Sequence, residues 1–151
     1  MGHTEKACDL FAQHFHCSQA VFAAFAEELG LSEQTALKIG GCFGGGMRKG
    51  EVCGACTGAL MAIGLKYGQF DISDVESRTL TNQLAVRFLE AFAKENGSYL
   101  CRELLGYNFA VPEEFEAAMQ AGICNEKCPK MVASAAKILN GILAENEMSA
   151  K

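Results

Sequence analysis

The sequence has no basic run, no alternating apolar–polar stretch, no internal repeat or linker, and no apolar segment long enough to cross a bilayer. Each absence excludes something. Lys+Arg number 13 against 18 Asp+Glu, a formal charge of −5, and no basic patch stands out, which excludes nucleic acid as an expected partner. The longest strongly apolar stretch, residues 55–65, is about half of the ~20 residues a membrane span needs. Without two-residue alternation there are no half-buried strands from which to build a sheet. The start, Met1–Lys6, lacks an apolar core and carries charge early, so it does not read as a signal peptide, and the chain is expected to be cytoplasmic. At 151 residues it reads as one domain, 1–151. A domain of that size buries roughly 68–70% of its unfolded surface and needs no disulfides to fold.

The apolar periodicity is helical nearly throughout. It predicts helices over 4–15, over 18–29 with Gly30 beyond the end, and from the Ser32 N-cap to Ile39. Residues 40–50 are glycine-rich and read as a loop. Residues 52–67 are small and apolar on most faces, the pattern of a central buried helix. Gly58 and Gly64 inside it each cost roughly 1 kcal/mol against Ala, which close helix–helix approach would offset. Further helices are expected over 74–96, 98–105 and 113–121, and from Pro129 to about Glu145. The expected fold is an all-α single-domain bundle of about six to eight helices around the 52–67 helix. That helix is covered either within one chain or partly in a homodimer.

The eight cysteines set the chemistry: Cys8, Cys17, Cys42, Cys53, Cys56, Cys101, Cys124 and Cys128. In a reducing compartment such richness points to redox or metal chemistry rather than to structural disulfides. Isolated Cys8 and Cys42 read as small buried hydrophobes. Cys53-Gly54-Ala55-Cys56 follows the glycine loop and opens the buried helix. There the helix dipole and free N–H groups lower a thiol pKa from about 8.5 toward roughly 3.5–7.5, with Arg48 and Lys49 adding to the field and Glu51 opposing it.

Residue 57 is Thr, so this is not a c-type haem site, and no second CxxC completes a zinc ribbon. Cys124 and Cys128 would share a helix face, although Pro129 suggests that Cys128 is an N-cap. Cys17 and Cys101 also lie at or near helix starts. His14 and His16 beside Cys17 are candidates for a metal site or a thiol base. Gly44, Gly45 and Gly46 are candidates for cradling a phosphate-bearing cofactor, against the simpler reading of a compact loop.

Cys17-Ser18-Gln19-Ala20-Val21, the block from Phe43-Gly44-Gly45-Gly46 through Cys53-Gly54-Ala55 to Gly58, Cys101-Arg102-Glu103-Leu104-Leu105-Gly106 and Cys128-Pro129 stand in order along the chain. Together they resemble a family described as redox-active and named for its C…GCAxxG…C…C signature. The resemblance implies that Cys17, Cys53, Cys101 and Cys128 are the family's four cysteine positions, with Cys56, Cys8, Cys42 and Cys124 additional.

Three readings follow. In the first, thiol–disulfide exchange starts at a low-pKa Cys53, with Cys56, Cys17, Cys101 or Cys128 resolving the mixed disulfide formed with a partner protein or small thiol. In the second, Cys17, Cys53, Cys101 and Cys128 ligate zinc or an iron–sulfur cluster. In the third, the chain is a non-catalytic helical interaction module.

Overall fold

The structure, a computed structural model, describes residues 2–149. These form eight helices: α1 (His3–Ala12), α2 (Cys17–Ala26), α3 (Glu33–Ile39), α4 (Gly54–Tyr67), α5 (Val75–Asn96), α6 (Cys101–Leu105), α7 (Pro112–Ala121) and α8 (Ile123–Ser149). No β-strand occurs among the described residues, and none of their helices is long and apolar enough to cross a membrane. The expected ends at Ser32 and Gly30 hold: Ser32 accepts from the Thr35 N–H and Gly30 is left-handed. Asp74, expected inside its helix, is instead the N-cap and accepts from the Ser77 N–H, and a left-handed Gly97 ends that helix.

The last helix departs from the pattern. It starts at Ile123, and Pro129 lies inside it. Gly122, left-handed at φ 65°, reverses the chain after α7, and its carbonyl accepts from the Glu126 N–H to open α8. Pro129 then removes only the bond to the Asn125 carbonyl, and Asn125 is exposed to water. Cys128 is therefore not an N-cap. The glycine-rich stretch is also more ordered than a loop, with a short turn at Gly40–Cys42 and a wider one at Gly46–Gly50.

The most completely buried helix is α2, where nine of ten residues are buried, against seven of fourteen in α4. Helix α2 packs on α1, α3, α4 and α8, and α4 on α2, α5 and α8. The two helices meet backbone to backbone at Gly58. A Cβ there would lie 2.6 Å from the Ser18 carbonyl oxygen and 3.2 Å from the Phe22 nitrogen. Gly64 has no such role, since nothing lies within 4 Å of the place its Cβ would take. Around this contact the main core gathers Val21, Phe25, Ile63, Phe88, Phe92, Val132 and Leu139. A smaller apolar cluster of Cys101, Leu105, Phe109, Ala118 and Ile123 is built by α6, α7 and the start of α8, with Phe115, Cys124 and Cys128 against it.

The two glycines of α4 make opposite predictions. Gly58→Ala forces α2 away and lowers stability by about 1–3 kcal/mol. Gly64→Ala leaves stability unchanged or raises it by up to ~1 kcal/mol. Urea denaturation of the two variants measures the difference.

Candidate functional site

Five of the eight cysteines open onto one cavity of about 350 Å³ at the seam between the two apolar clusters: Cys17, Cys53, Cys101, Cys124 and Cys128. All eight are free thiols. Cys56 is buried behind Cys53 and does not reach the cavity. Cys8 lines a neighbouring small cleft with Phe11, His14 and Asn125. Cys42 is exposed and is not the buried hydrophobe that its isolation suggests, because it ends a surface turn.

The close approach of α2 and α4 positions the first pair. Cys17 is the first residue of α2 and Cys53 the N-cap of α4. Gly54 allows the contact, since a Cβ at that position would sit 2.5 Å from the Cys17 sulfur. The Cys17 sulfur accepts from the Ser18 and Gly45 N–H groups and is in hydrogen-bond contact with Cys53. Cys53 in turn contacts Cys56 and accepts from the Ala55 N–H.

Cys101 arrives by a short antiparallel bridge. Val52 faces Leu100, the Cys53 N–H donates to the Tyr99 carbonyl at 2.8 Å, and the Cys101 N–H donates to the Glu51 carbonyl at 2.7 Å. Arg102 holds the same bridge from outside, donating to the Gly50 carbonyl at 3.1 Å and pairing with Glu51 at 3.2 Å. Residues about fifty apart in sequence thus place Cys53 and Cys101 on one wall. The first turns of α8 supply Cys124 and Cys128, which share a helix face and a hydrogen bond.

The glycine turn closes the cavity. Gly45, Gly46, Met47 and Arg48 all have positive φ, between 58° and 65°. Two of them are not glycine, a strained arrangement that costs roughly 1–3 kcal/mol per such residue. This reversal brings the Arg48 guanidinium to 5.8 Å from the Phe109 ring centre and 5.4 Å from that of Phe115, within cation–π range. The three glycines serve packing. A Cβ on Gly44 would strike the His16 ring, one on Gly45 would strike Phe109 and Arg48, and one on Gly46 would strike Glu51 and Cys101.

Burial decides most of the electrostatics. Cys17 is raised well above an ordinary thiol by its hydrogen bond with Cys53 and by burial. At Cys53 the hydrogen bond with Cys17 pulls the pKa down, but the contact with Cys56 and burial outweigh it and leave it raised. The lowered pKa expected of Cys53 from its helix start does not occur, because one N–H donor and a helix dipole do not offset complete desolvation. Cys101 is pushed up to about 12 by burial, then by Cys17 and Cys124, with Arg48 opposing.

Cys124 is the exception. Its hydrogen bond with Cys128 lowers it to about 7, with burial opposing and Arg48 assisting. Cys128 is raised by the same bond and by burial, so the first proton to leave the pair leaves Cys124. His16 is lowered by burial and then by Arg48, which keeps its imidazole neutral near pH 7.

His14 and His16 both line the cavity. Among the described residues no three His, Cys, Asp or Glu side chains stand close enough together to hold a metal ion. The chain's four family-type cysteines line one cavity together with Cys124, without closing to metal-ligand distances. The family signature leaves Cys124 additional, and its four-residue spacing from Cys128 is the one sequence signal for it. Phe109 and Phe115 carried no signal, because only the folded α6–α7 connection aims them at Arg48.

A profile of the C_GCAxxG_C_C family, described as "Putative redox-active protein", matches residues 15–142. Searches of curated proteins and of solved structures returned no match.

Alkylation with iodoacetamide, resolved by peptide mass spectrometry, tests the charge assignment. Thiolate grows as pH rises through the pKa, so labelling of Cys124 is half-maximal near pH 7, its value here, and levels off above it. An ordinary thiol is half-labelled near about 8.5. Cys128→Ala removes the hydrogen bond that contributes most to the lowering, and the Cys124 midpoint moves to higher pH.

Proposed function

Since the chain belongs to the C_GCAxxG_C_C redox-active family, we propose that it is a cytoplasmic thiol redox protein that exchanges disulfides within this cavity. One observation carries the reading. Cys124 and Cys128 touch, and their environments push them in opposite directions, Cys124 toward thiolate and Cys128 toward thiol. Groups separated in this way take different roles in a proton-coupled reaction.

In the first step the Cys124 thiolate attacks one sulfur of a substrate disulfide. A Cys124–substrate S–S bond forms, the substrate S–S bond breaks, and one substrate thiolate leaves and is protonated. Cys128 then loses its proton and attacks the Cys124 sulfur. A Cys124–Cys128 bond forms and the second substrate thiol departs. The protein gives up two electrons and the Cys128 proton, solvent supplies the second proton, and the substrate disulfide is reduced to two thiols. Closing a bond across one helical turn requires the sulfurs to approach from the usual i,i+4 separation, and Pro129 loosens that turn by removing a backbone bond.

Behind this pair, Cys17, Cys53 and Cys101 line the inner wall, and Cys53 contacts Cys56. Cys128 lies close enough to Cys17 and Cys53 for their charges to raise its pKa. The inner thiols are placed to take the disulfide onward, with Cys56 resolving Cys53. A cytoplasmic location suits eight free thiols.

A second reading is favoured by the convergence of Cys17, Cys53, Cys101 and Cys128 from four helices onto one space. Drawn together and deprotonated, these four are a donor set for zinc or an iron–sulfur cluster.

Anaerobic purification separates the two. The thiol reading expects a colourless, metal-free protein in which a mild disulfide oxidant produces a Cys124–Cys128 cross-link that dithiothreitol reverses, both seen by peptide mass spectrometry. A brown protein with stoichiometric iron and sulfide, or one with bound zinc at the four cysteines, overturns it.

A further inference from the structure

The walls of the cavity indicate what enters it. Apart from its thiols, His14, His16, Asn125 and Arg48 they are apolar, with Phe11, Phe15, Leu105, Phe109, Phe115 and Met131 prominent. No carboxylate and no lysine lines it. Its one permanent charge is Arg48, in a chain whose formal net charge is −5. Among the described residues no carboxylate lies within ion-pair distance of that guanidinium, whereas Arg102 pairs with Glu51. Arg48 is also held in place by an unfavourable backbone, with φ 63°, and by two aromatic faces. Guanidinium planes offer paired N–H donors that match a carboxylate. Arg48 and Cys124 line the same cavity, close enough for the guanidinium charge to be felt at the thiol.

We propose that the substrate is a small disulfide with an apolar body and a carboxylate, its acid group bound by Arg48 and its S–S bond presented to Cys124. This deepens the thiol-exchange reading and rests on it. A cavity of about 350 Å³ lies within the range of small-molecule sites and is too small for a folded protein's disulfide loop. Phe109 and Phe115, in edge-to-face contact at 5.1 Å, supply an aromatic wall for the apolar body.

The inference is tested with three disulfides as probes: the dianionic 5,5′-dithiobis(2-nitrobenzoate), neutral 4,4′-dithiodipyridine and cationic cystamine. Second-order rate constants for Cys124 are measured at fixed pH in the otherwise cysteine-intact protein and in Arg48→Gln and Arg48→Lys. Rates are expressed relative to the neutral probe, because loss of Arg48 also changes the thiolate fraction and slows all three together.

The anionic-to-neutral ratio is expected to fall about tenfold in Arg48→Gln, the scale of one charge-assisted hydrogen bond. It is expected to recover only in part in Arg48→Lys, which restores the charge but not the paired donors, and in the wild-type protein to decrease with added salt. Cystamine is expected to be the slowest of the three. A ratio unchanged in Arg48→Gln and insensitive to salt in the wild type overturns the substrate class while leaving thiol exchange intact. So does faster turnover of a protein disulfide than of any small probe. Failure of Cys124 to react with all three disulfides overturns the thiol-exchange reading itself.

Discussion

The structure depends on one close approach, that of α2 against α4. Glycines 54 and 58 leave no side chain between the helices, so the Ser18 carbonyl and the Cys17 sulfur lie directly against the α4 backbone. Two consequences follow from the same contact. The alanine- and phenylalanine-rich face of α2 is sealed from water, and the N-terminal ends of both helices arrive at one point with a cysteine on each. Stability and chemistry therefore share a constraint. A larger residue at either glycine would separate the helices and pull Cys17 from Cys53.

The cavity exists because the chain has two apolar clusters rather than one. The main core closes over α2 and α4, while α6, α7 and the head of α8 build a second cluster around Phe109 and Ala118. The clusters meet along a surface lined with cysteine, a residue small and apolar enough for an interior yet able to ionise at its edge. Depth then sorts the thiols. Those in the main core lose solvation and hold their protons. Cys124, half-buried near Arg48 and hydrogen-bonded by Cys128, releases its proton near neutral pH. The proposed thiol exchange would use both, an entry thiol that is already charged and inner thiols that stay protonated until attacked.

Strain at the glycine turn belongs to the same design. Met47 and Arg48 sit in a conformation that L-residues disfavour, and the surrounding bonds hold them there: Met47 N–H to the Phe43 carbonyl, Glu51 N–H to the Gly46 carbonyl, and the 51–53 bridge to 99–101. The reversal lays the exposed Arg48 side chain over two aromatic rings at the edge of the cavity.

Local chemistry alone determined a good deal of this protein. Helical periodicity, Ser32, Asp74, Gly30 and Gly97 specify the elements and most of their ends, because caps and amphipathic stripes act within a few residues. The ordered motifs around Cys17, Cys53, Cys101 and Cys128 specify the redox family. Tertiary structure decided the rest. Pro129 reads locally as a helix start, but the turn at Gly122 begins α8 earlier and puts Cys124 and Cys128 on one face. Cys53 reads locally as an activated thiol at a helix N-terminus, but burial raises its pKa, and Cys124 takes that place. Solvation and the positions of distant charges set a pKa, and neither is present in a sequence until residues fifty to a hundred apart are brought together.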